Sequence, residues 1–590
     1  MRRPWRERAT LAALGAVHGV LMALALAPVG LWPLAMVALV PVFVACARLA
    51  RGGTRTARGA AWFALGTLPY WLYLHAFLID VTAPGYPGLG VLLSAYTWLT
   101  VWIAARAWRL FSGAGFVLAA IAWTGGEFFR GEIAWDGYPW GLVAHPLVEW
   151  FPIAAPAAVG GQYLLVLLVA LFGASLVATL VGPSRLPGRI GTGLTLGAWL
   201  VLSLVGHRMV PASSGEELPV AVVQTNVPQS NKLSWRIQDQ IDEWRRLENA
   251  TLRAATQGPG APPDLIVWPE TMMPGPTLEP EALEVLAREG MQWNLPVNPV
   301  DSKAPTSLRM TAFADRLLEM QKQLTIPMLI GEEALVGLEV VKRDSRLSLE
   351  TASRFNSVFL IDEATISRTR YDKVRLTPFG EVMPYISAWP WLEAKLLALG
   401  AAGMRFDLRA GTELTVFPVR SASLSRDVHV VTPICFEATT SWVCRRMIFK
   451  GGVRRAELIV NVSNDGWFGW WDAGRVQHMQ QARMRCIELA TPMVRAANTG
   501  VSAIINARGQ ILAQGAIAED GTRGTVRAGG VLWGRVPLAT GTTLYATVAD
   551  SVGWAAMFGA AILLALSFVR SSRLLAWPRS MLASKPGVGR

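Results

Sequence analysis

The sequence is short of charge. Aspartate, glutamate, lysine and arginine make up 16% of its 590 residues, against roughly 25% in an average soluble domain. Intrinsic disorder is excluded, because it needs low hydrophobicity and high charge, and here 52% of residues are hydrophobic. An ordinary soluble enzyme of this length is also a poor fit. Cysteine is scarce. Cys46 lies in an apolar N-terminal stretch, and Cys435, Cys444 and Cys486 lie in a later, more polar block. Three is odd, so at least one thiol there is unpaired. No CxxC pair or His/Cys cluster points to a metal site. No glycine-rich phosphate loop, internal repeat or low-complexity tract is found. No metal and no cofactor is expected.

What the chain has instead is long apolar runs. Eight stretches read as membrane-spanning helices, at about 9–28, 29–47, 59–79, 88–105, 112–129, 161–182, 190–206 and 549–569, since a span needs ~20 mostly apolar residues. The arginines before the first stretch resemble the start of a signal peptide. A second apolar stretch follows at once and more come later, so a polytopic membrane protein is the reading.

The formal net charge of +13 invites a nucleic-acid reading. Placing the N-terminus in the cytoplasm removes it. The cytoplasmic segments then carry Arg2, Arg3, Arg6, Arg8, Arg48, Arg51, Arg55, Arg58, Arg106, Arg109, Arg185, Arg189, Arg570, Arg573, Arg579, Lys585 and Arg590. The opposite short loops carry only Arg130. That bias sets orientation and puts the block after Gly206 outside, with both termini inside. The rest of the chain is close to neutral. The basic excess is therefore a topology signal, with attraction to anionic lipid heads, and no nucleic-acid partner is expected.

The expected domains are a seven-helix membrane domain at 1–213, a soluble catalytic domain at 214–540, and a final helix with a basic tail at 541–590. Within the soluble block, short β-branched runs such as Leu218–Gln224, Leu265–Trp268, Val428–Ile434 and Leu458–Val462 alternate with helix-like stretches such as Trp235–Thr256, Ala312–Gln323 and Gln477–Leu489. That alternation predicts an α/β sheet or sandwich. Residues 291–307 carry three prolines and no period, and read as a loop. The helix at Gln477–Leu489 reads as partly solvated.

Three short motifs carry chemistry. In Leu265-Ile-Val-Trp-Pro-Glu270 an apolar strand ends in a carboxylate. Tyr371-Asp-Lys-Val-Arg-Leu-Thr-Pro-Phe-Gly-Glu381 puts Lys373 and Glu381 on one turn-rich segment. In Val430-Val-Thr-Pro-Ile-Cys435-Phe-Glu437 a strand delivers a cysteine to a turn, with a helix read over Ala438–Lys450. A helix dipole and a nearby lysine would favour the thiolate there. Alone, each has a bland reading: a solvated glutamate, a surface loop, a buried structural cysteine. Together they describe a thiol nucleophile, a carboxylate base and a lysine to stabilise an oxyanion. His429 and His478 fit no Ser/His/Asp arrangement.

These motifs resemble the Glu, Lys and Cys motifs of the nitrilase (carbon–nitrogen hydrolase) superfamily. Other stretches narrow the resemblance to its membrane-bound branch, the apolipoprotein N-acyltransferases. They are Val223-Gln-Thr-Asn-Val-Pro-Gln229 with Trp235, Asn464-Asp-Gly-Trp-Phe-Gly469, His478-Met-Gln-Gln-Ala-Arg-Met-Arg485, Glu127-Phe-Phe-Arg-Gly131 and Gly137-Tyr-Pro-Trp140. The resemblance implies an αββα sandwich on the periplasmic side of a bacterial inner membrane, beside about eight membrane helices. It implies Cys435 as nucleophile, Glu270 as base and Lys373 as oxyanion stabiliser, with Glu381 and Glu437 in support and Trp235 at the substrate. Where this family often has tyrosine after the nucleophile, this sequence has Phe436. The implied reaction moves an acyl chain from a phospholipid, typically phosphatidylethanolamine, through a cysteine thioester. The acceptor is the α-amino group of an apolipoprotein's S-diacylglyceryl cysteine. A monomer is expected. Glu127 and Arg130, three apart on one helix face, would pair or meet lipid head groups, and with Trp140 would border a lipid entrance. A Cys435–Cys444 disulfide would block the nucleophile and is not expected. Two other readings stay open: a membrane-tethered amidase that hydrolyses the same thioester, and a non-catalytic lipid transporter or scaffold.

Overall fold

The computed structural model describes residues 4–51, 56–111, 113–181, 185–212, 215–228, 235–295, 306–343, 346–378, 380–382, 389, 391, 395 and 407–574. Every apolar run named above forms a helix. The helices are Pro4–Ala25, Val40–Arg51, Thr56–Leu74, Gly85–Leu110, Gly115–Phe128, Ala157–Val181, Leu186–Met209 and Ser551–Leu574. Six segments are long and apolar enough to cross a membrane: Trp5–Ala25, Trp32–Arg51, Gly85–Leu110, Ala157–Val181, Leu186–Met209 and Ser551–Val569. Gly115–Phe128 is shorter at 14 residues and runs directly into a π-helical turn, Phe129–Ile133. Small residues let these helices approach closely, as they do in lipid. A Cβ on Gly66 would fall on the backbone carbonyl of Ala12.

The soluble block is a sandwich of two sheets. In chain order the strands are β1 Glu217–Gln224, β2 Leu265–Val267, β3 Gln292–Asn294, β4 Ser307–Arg309, β5 Met328–Arg343, β6 Arg346–Asp362, β7 Thr365–Asp372, β8 Phe417–Ser421 and β9 Arg426–Val431. Then come β10 Phe449–Lys450, β11 Val453–Arg454, β12 Leu458–Ser463, β13 Met493–Ala497, β14 Ala503–Ile505, β15 Ile511–Gln514, β16 Ala516–Ile517, β17 Arg523–Gly524 and β18 Gly530–Pro537. One sheet runs β17-β16-β18-β1-β2-β5-β6-β7 and the other β15-β14-β13-β12-β9-β8.

Alternation along the strands explains the layering. Val220 and Val222, Leu265 and Val267, Leu329, and Val358 and Leu360 point into the core shared with the second sheet. Their neighbours Ala221 and Val223, Ile266 and Trp268, Met328 and Ile330, and Phe359 and Ile361 pack under the helices Ile237–Thr256 and Ala312–Leu324. Both faces are covered, so these strands read as continuous apolar runs rather than alternating ones. On the second sheet the outer layer is the helix Asp472–Leu489, whose Met479, Ala482, Cys486 and Leu489 join the intersheet cluster. The αββα arrangement expected from the resemblance is therefore present.

Three readings need correction. Residues 291–307 are not simply a loop: β3 pairs antiparallel with β4, Gln292 opposite Arg309, while 296–305 lie outside the described residues. The apolar content of that segment is too low for strand periodicity to show. The stretch after Cys435 is not one helix but a 3₁₀ turn, Cys435–Thr439, then a short helix, Ser441–Ile448. The helix at the end of the block, Asp472–Leu489, is not partly solvated: all its residues except Asp472 and Val476 are buried.

The reason is that the helical part covers it. Gln477 donates to the carbonyl of Ala27 at 2.7 Å and accepts from the Trp140 indole at 3.0 Å. Glu149 accepts from Gln480 and Arg483 at 2.8 and 2.7 Å. Arg485 donates to Gln162 at 3.0 Å, and Glu488 accepts from the backbone N–H of Gln162 at 2.7 Å. A polar sequence is buried here because its partners are supplied by the other half of the chain.

Candidate active site

The site forms where strands from both sheets end. β9 and β12 run parallel, and Ile434 bridges to Val462. Their carboxyl ends therefore set Cys435 beside Ser463, Asn464 and Asp465. The carboxyl end of β2 supplies Glu270, and the end of β7 supplies Lys373. Ligands commonly bind at the carboxyl ends of parallel strands. Gly331 on β5 makes room for the turn at Glu270, since a Cβ there would lie 2.7 Å from the Glu270 Cα.

Cys435 has φ of 51°, a left-handed conformation that is costly for a residue with a Cβ. The strain is held by Glu437, which is fully buried. One carboxylate oxygen of Glu437 accepts from the Val374 and Arg375 N–H groups at 2.8 and 2.9 Å, and the other from the Ile434 N–H at 2.8 Å. The Tyr371 hydroxyl sits 2.8 and 2.9 Å from the two oxygens. Glu437 thus ties the nucleophile turn to the lysine segment. Burial pushes its carboxyl up to about 7, against the pull of those donors.

Glu270 and Lys373 are 5% and 1% exposed. The Lys373 ammonium lies 2.7 Å from Glu381 and 3.6 Å from Glu270. Burial opposes its charge, but the carboxylates of Glu381 and Glu270 outweigh burial and hold the lysine above its usual range. Glu381 is held below the usual carboxylate range: burial opposes this, and Lys373 prevails. Asn356 donates to Glu270 at 2.6 Å and to Glu381 at 3.3 Å. The second Glu270 oxygen accepts from the Asn464 N–H at 2.7 Å. The Lys373 ammonium also donates to the Thr377 hydroxyl at 3.4 Å, which leaves one of its three donors for an oxyanion.

The thiol differs from expectation. Cys435 is raised above the ordinary thiol range, first by burial and then by the Glu270 charge, with Lys373 pulling the other way. The thiolate is not favoured at rest, because the 3₁₀ turn offers little dipole and two carboxylates lie near. Deprotonation has to be coupled to proton acceptance by a base. All four cysteines are free, and the Cys444 thiol contacts the Glu437 carbonyl at 3.5 Å.

Donor atoms of Cys435, Asp465 and His478 lie within 4.8 Å of one another. Such a trio has the composition of a soft-metal site. Arg495 already supplies the positive charge, at 2.8 Å from Asp465 and 3.1 Å from His478. An added cation would be repelled.

The other predicted residues are placed as follows. Phe436 is buried, and the Arg375 guanidinium lies 5.7 Å from its ring centre. Trp235 precedes the helix Ile237–Thr256, and its carbonyl accepts from Gln240 at 3.1 Å; no recorded contact among the described residues brings it to Cys435. Glu127 and Arg130 do pair, at 2.9 Å. Arg130 is buried and also donates to the carbonyls of Tyr138 and Trp140 at 3.0 and 2.7 Å. Trp140 is buried as well, its ring tilted against that of His478 with the centroids 5.9 Å apart. Of the three, Trp140 reaches the sandwich, where its indole donates to Gln477, while Glu127 and Arg130 brace the loop that carries it.

Sequence reasoning missed Asn356, Tyr371, Thr377, Asp465 and Arg495. A signal was available for Asp465: the polar Ser463-Asn-Asp465 cluster at the end of an apolar strand.

Comparison with known proteins adds to this geometry. Residues 219–528, more than half of the chain, match the carbon–nitrogen hydrolase family. The chain belongs to that family. Residues 18–175 match the N-terminal domain of apolipoprotein N-acyltransferase. The resemblance to the membrane-bound branch of the family is thus borne out in both halves. An apolipoprotein N-acyltransferase of Geobacter metallireducens is 26% identical over 95% of each chain. One of Bordetella bronchiseptica is 29% identical, covering 86% of this chain and 89% of its own. Among solved structures, an amidase from Nesterenkonia sp. is similar, with TM-score 0.31 and 14% identity, covering 55% of this chain and 93% of that one.

Proposed function

We propose that this family member is a phospholipid:apolipoprotein N-acyltransferase that works through a Glu270–Lys373–Cys435 triad. The observation that carries the reading is the joining of two things in one chain. A buried Glu/Lys/Glu cluster surrounds a strained cysteine, and the sandwich that holds it is locked onto helices long and apolar enough to span a membrane. A soluble nitrilase would have to draw acyl chains through water, at ~0.8 kcal/mol per CH₂. Beside membrane helices, both lipid substrates arrive laterally.

In the first half-reaction Glu270 takes the Cys435 proton as sulfur attacks the donor ester. Lys373 stabilises the oxyanion, and Glu270 returns the proton to the departing lysophospholipid oxygen. In the second, the α-amino group of the diacylglyceryl cysteine attacks the thioester and leaves as an amide. Glu381 holds Lys373, and Glu437 holds the turn. Phe436 keeps a packing role against Arg375, with no phenol hydroxyl to offer. Trp235 would meet substrate from the segment that precedes its helix. Glu127, Arg130 and Trp140 would border the lipid route by fixing its wall. The basic-residue bias supports termini in the cytoplasm and the sandwich in the periplasm. The protein works as a monomer.

Intact-protein mass spectrometry after incubation with phosphatidylethanolamine tests this, with Cys435→Ala as control. The expected result is a gain of one acyl chain, absent in the control and discharged onto the amine of a diacylglyceryl-cysteine peptide. An adduct that only water discharges would favour the amidase reading, and no adduct would refute both.

A further inference from the structure

The end of the helical part that lies away from the sandwich has a cavity of its own. Leu186–Met209 runs toward the sandwich, since β1 follows Met209, so Leu186 marks the far end. Val40–Arg51, Gly85–Leu110 and Ala157–Val181 finish at that end, and Gly115–Phe128 begins there. Between these five helix ends lies a cavity of about 360 Å³. Its charged lining residues are Arg51 and Arg109, and its walls include Trp108, Phe116, Ala178 and Val181. Arg51 donates to the carbonyl of Val181, the last residue of its helix, which pins the guanidinium at the cavity.

No carboxylate offsets the two guanidinium groups. None is among the described lining residues, and the sequence has no acidic residue in 46–58, 105–116 or 178–190. A guanidinium binds phosphate oxygens through a bidentate fork, matched in charge and in geometry. The orientation bias explains why arginines stand on this face. It does not explain why two of them share one cavity with apolar walls. The volume lies within the ~300–1,000 Å³ of ordinary ligand sites. Next to the lining residues Val181 and Pro187, Leu180 and Leu186 are 66% and 63% exposed. Acyl tails that leave the cavity there stay in apolar surroundings, whereas a soluble phosphate ester gains nothing from these walls.

We propose that this cavity seats the head group of one anionic phospholipid from the leaflet opposite the sandwich. Its phosphate lies between Arg51 and Arg109, and its tails pass out beside Leu180 and Leu186. Basic pockets between helices are a recurring form of anionic-lipid site on the cytoplasmic side. A zwitterionic head such as phosphatidylethanolamine fits less well, because its ammonium meets two cations and no carboxylate. The lipid takes no part in acyl transfer, and the site stands whether or not the acyl-transfer reading does. Its effect is structural: one negative charge joins helix ends whose arginines repel one another.

Native mass spectrometry of the full chain in detergent tests this, titrated with ether-linked phosphatidylglycerol. That lipid has no ester to transfer, so it cannot load Cys435. The wild-type chain is expected to retain one such lipid, more tightly than ether-linked phosphatidylethanolamine. Arg51→Gln with Arg109→Gln should weaken retention about 30-fold, since each basic side chain at a membrane surface contributes about fivefold. Arg48→Gln with Arg189→Gln removes two charges that do not line the cavity and should leave binding close to wild type. Equal loss in the two double variants would mean a general surface potential and overturn the site, as would equal retention of both lipids by the wild-type chain. Displacement of the lipid by glycerol phosphate would assign the cavity to a soluble anion and overturn the lipid. If the glutamine variant does not fold, Arg51→Lys with Arg109→Lys serves instead. It keeps charge but loses the fork, so weaker retention is expected, and unchanged retention would overturn the proposal.

Discussion

Two helices of the same chain invert the usual rule of what lies inside. Leu186–Met209 is apolar and faces outward: Leu194 and Leu200 are 69% and 62% exposed, and only Gly188, Thr195, Trp199 and Gly206 are buried. Asp472–Leu489 carries three arginines, three glutamines and a histidine, and it is buried almost throughout. In lipid an outward leucine loses nothing, because the surroundings are as apolar as a core. Between the sandwich and the helical part, polar groups are tolerated because each half supplies the other's hydrogen bonds. The seam between the halves is therefore mixed: polar pairs lie beside apolar contacts, with Phe77 against Phe468 and with Met484 and Ile487 in the helical core.

Breaking one seam pair should have the largest effect on stability. Arg485 and Glu488 form a fully buried ion pair at 2.9 Å. Arg485→Met leaves Glu488 uncompensated, and the cost of removing one buried partner is about 3–5 kcal/mol. Thermal unfolding in detergent measures it. The pH dependence has a definite sign. Burial already pushes Glu488 up to about 8, with Arg485 holding it down. The folded carboxyl thus keeps its proton where the unfolded one has lost it. Its contribution is full below the unfolded pKa of ~4.3 and is lost as pH rises through the folded value. Without Arg485 the folded value rises further, so the deficit should be larger at pH 9 than at pH 6. A deficit independent of pH would mean the pair is not what holds the seam.

The two halves also differ in how much of them the sequence discloses. Apolar runs located every membrane-type helix, because in lipid each helix satisfies its own backbone and needs only length and hydrophobicity. In the sandwich the same signal worked for strands covered on both faces, such as β1 and β12. It found only the inner ends of the long hairpin of β5 and β6, at Ile326–Ile330 and Asn356–Ile361, and missed the outer parts, which carry polar residues such as Glu339, Lys342 and Glu350. Glu270, Lys373 and Cys435 were legible as strand-end residues in a chemically sensible set. Asn356 and Asp465 were not, because an asparagine or aspartate acquires a role only from the strand beside it. The thiol was misjudged for the same reason. Burial raises it first, and then Glu270 and Asp465, far away in sequence, add to that.

That misjudgement yields a sharper test on the catalytic side, of intermediate size. The carboxylate of Glu270 raises the Cys435 thiol and the ammonium of Lys373 lowers it, on top of burial. Glu270→Gln should move the pH profile of Cys435 alkylation by iodoacetamide to lower pH, and Lys373→Met should move it to higher pH. The unfolding temperature serves as the reference for the helical half and should respond far less than to Arg485→Met. No shift in either variant would show that burial alone sets the thiol, and two shifts of the same sign would overturn the charge account.

The smallest effect is expected where the comparison began. Leu194→Ala removes an outward side chain from Leu186–Met209. In detergent or lipid it should change stability by no more than about 0.5 kcal/mol, as for substitutions away from packed groups. Leu247→Ala, 1% exposed beneath the first sheet, removes the same atoms from a packed layer and should cost about 2–5 kcal/mol. The same substitution thus reads out the solvent each half was built for. A large loss at Leu194 would mean that this face is covered by protein rather than lipid, and the outward-apolar half of the comparison would fail.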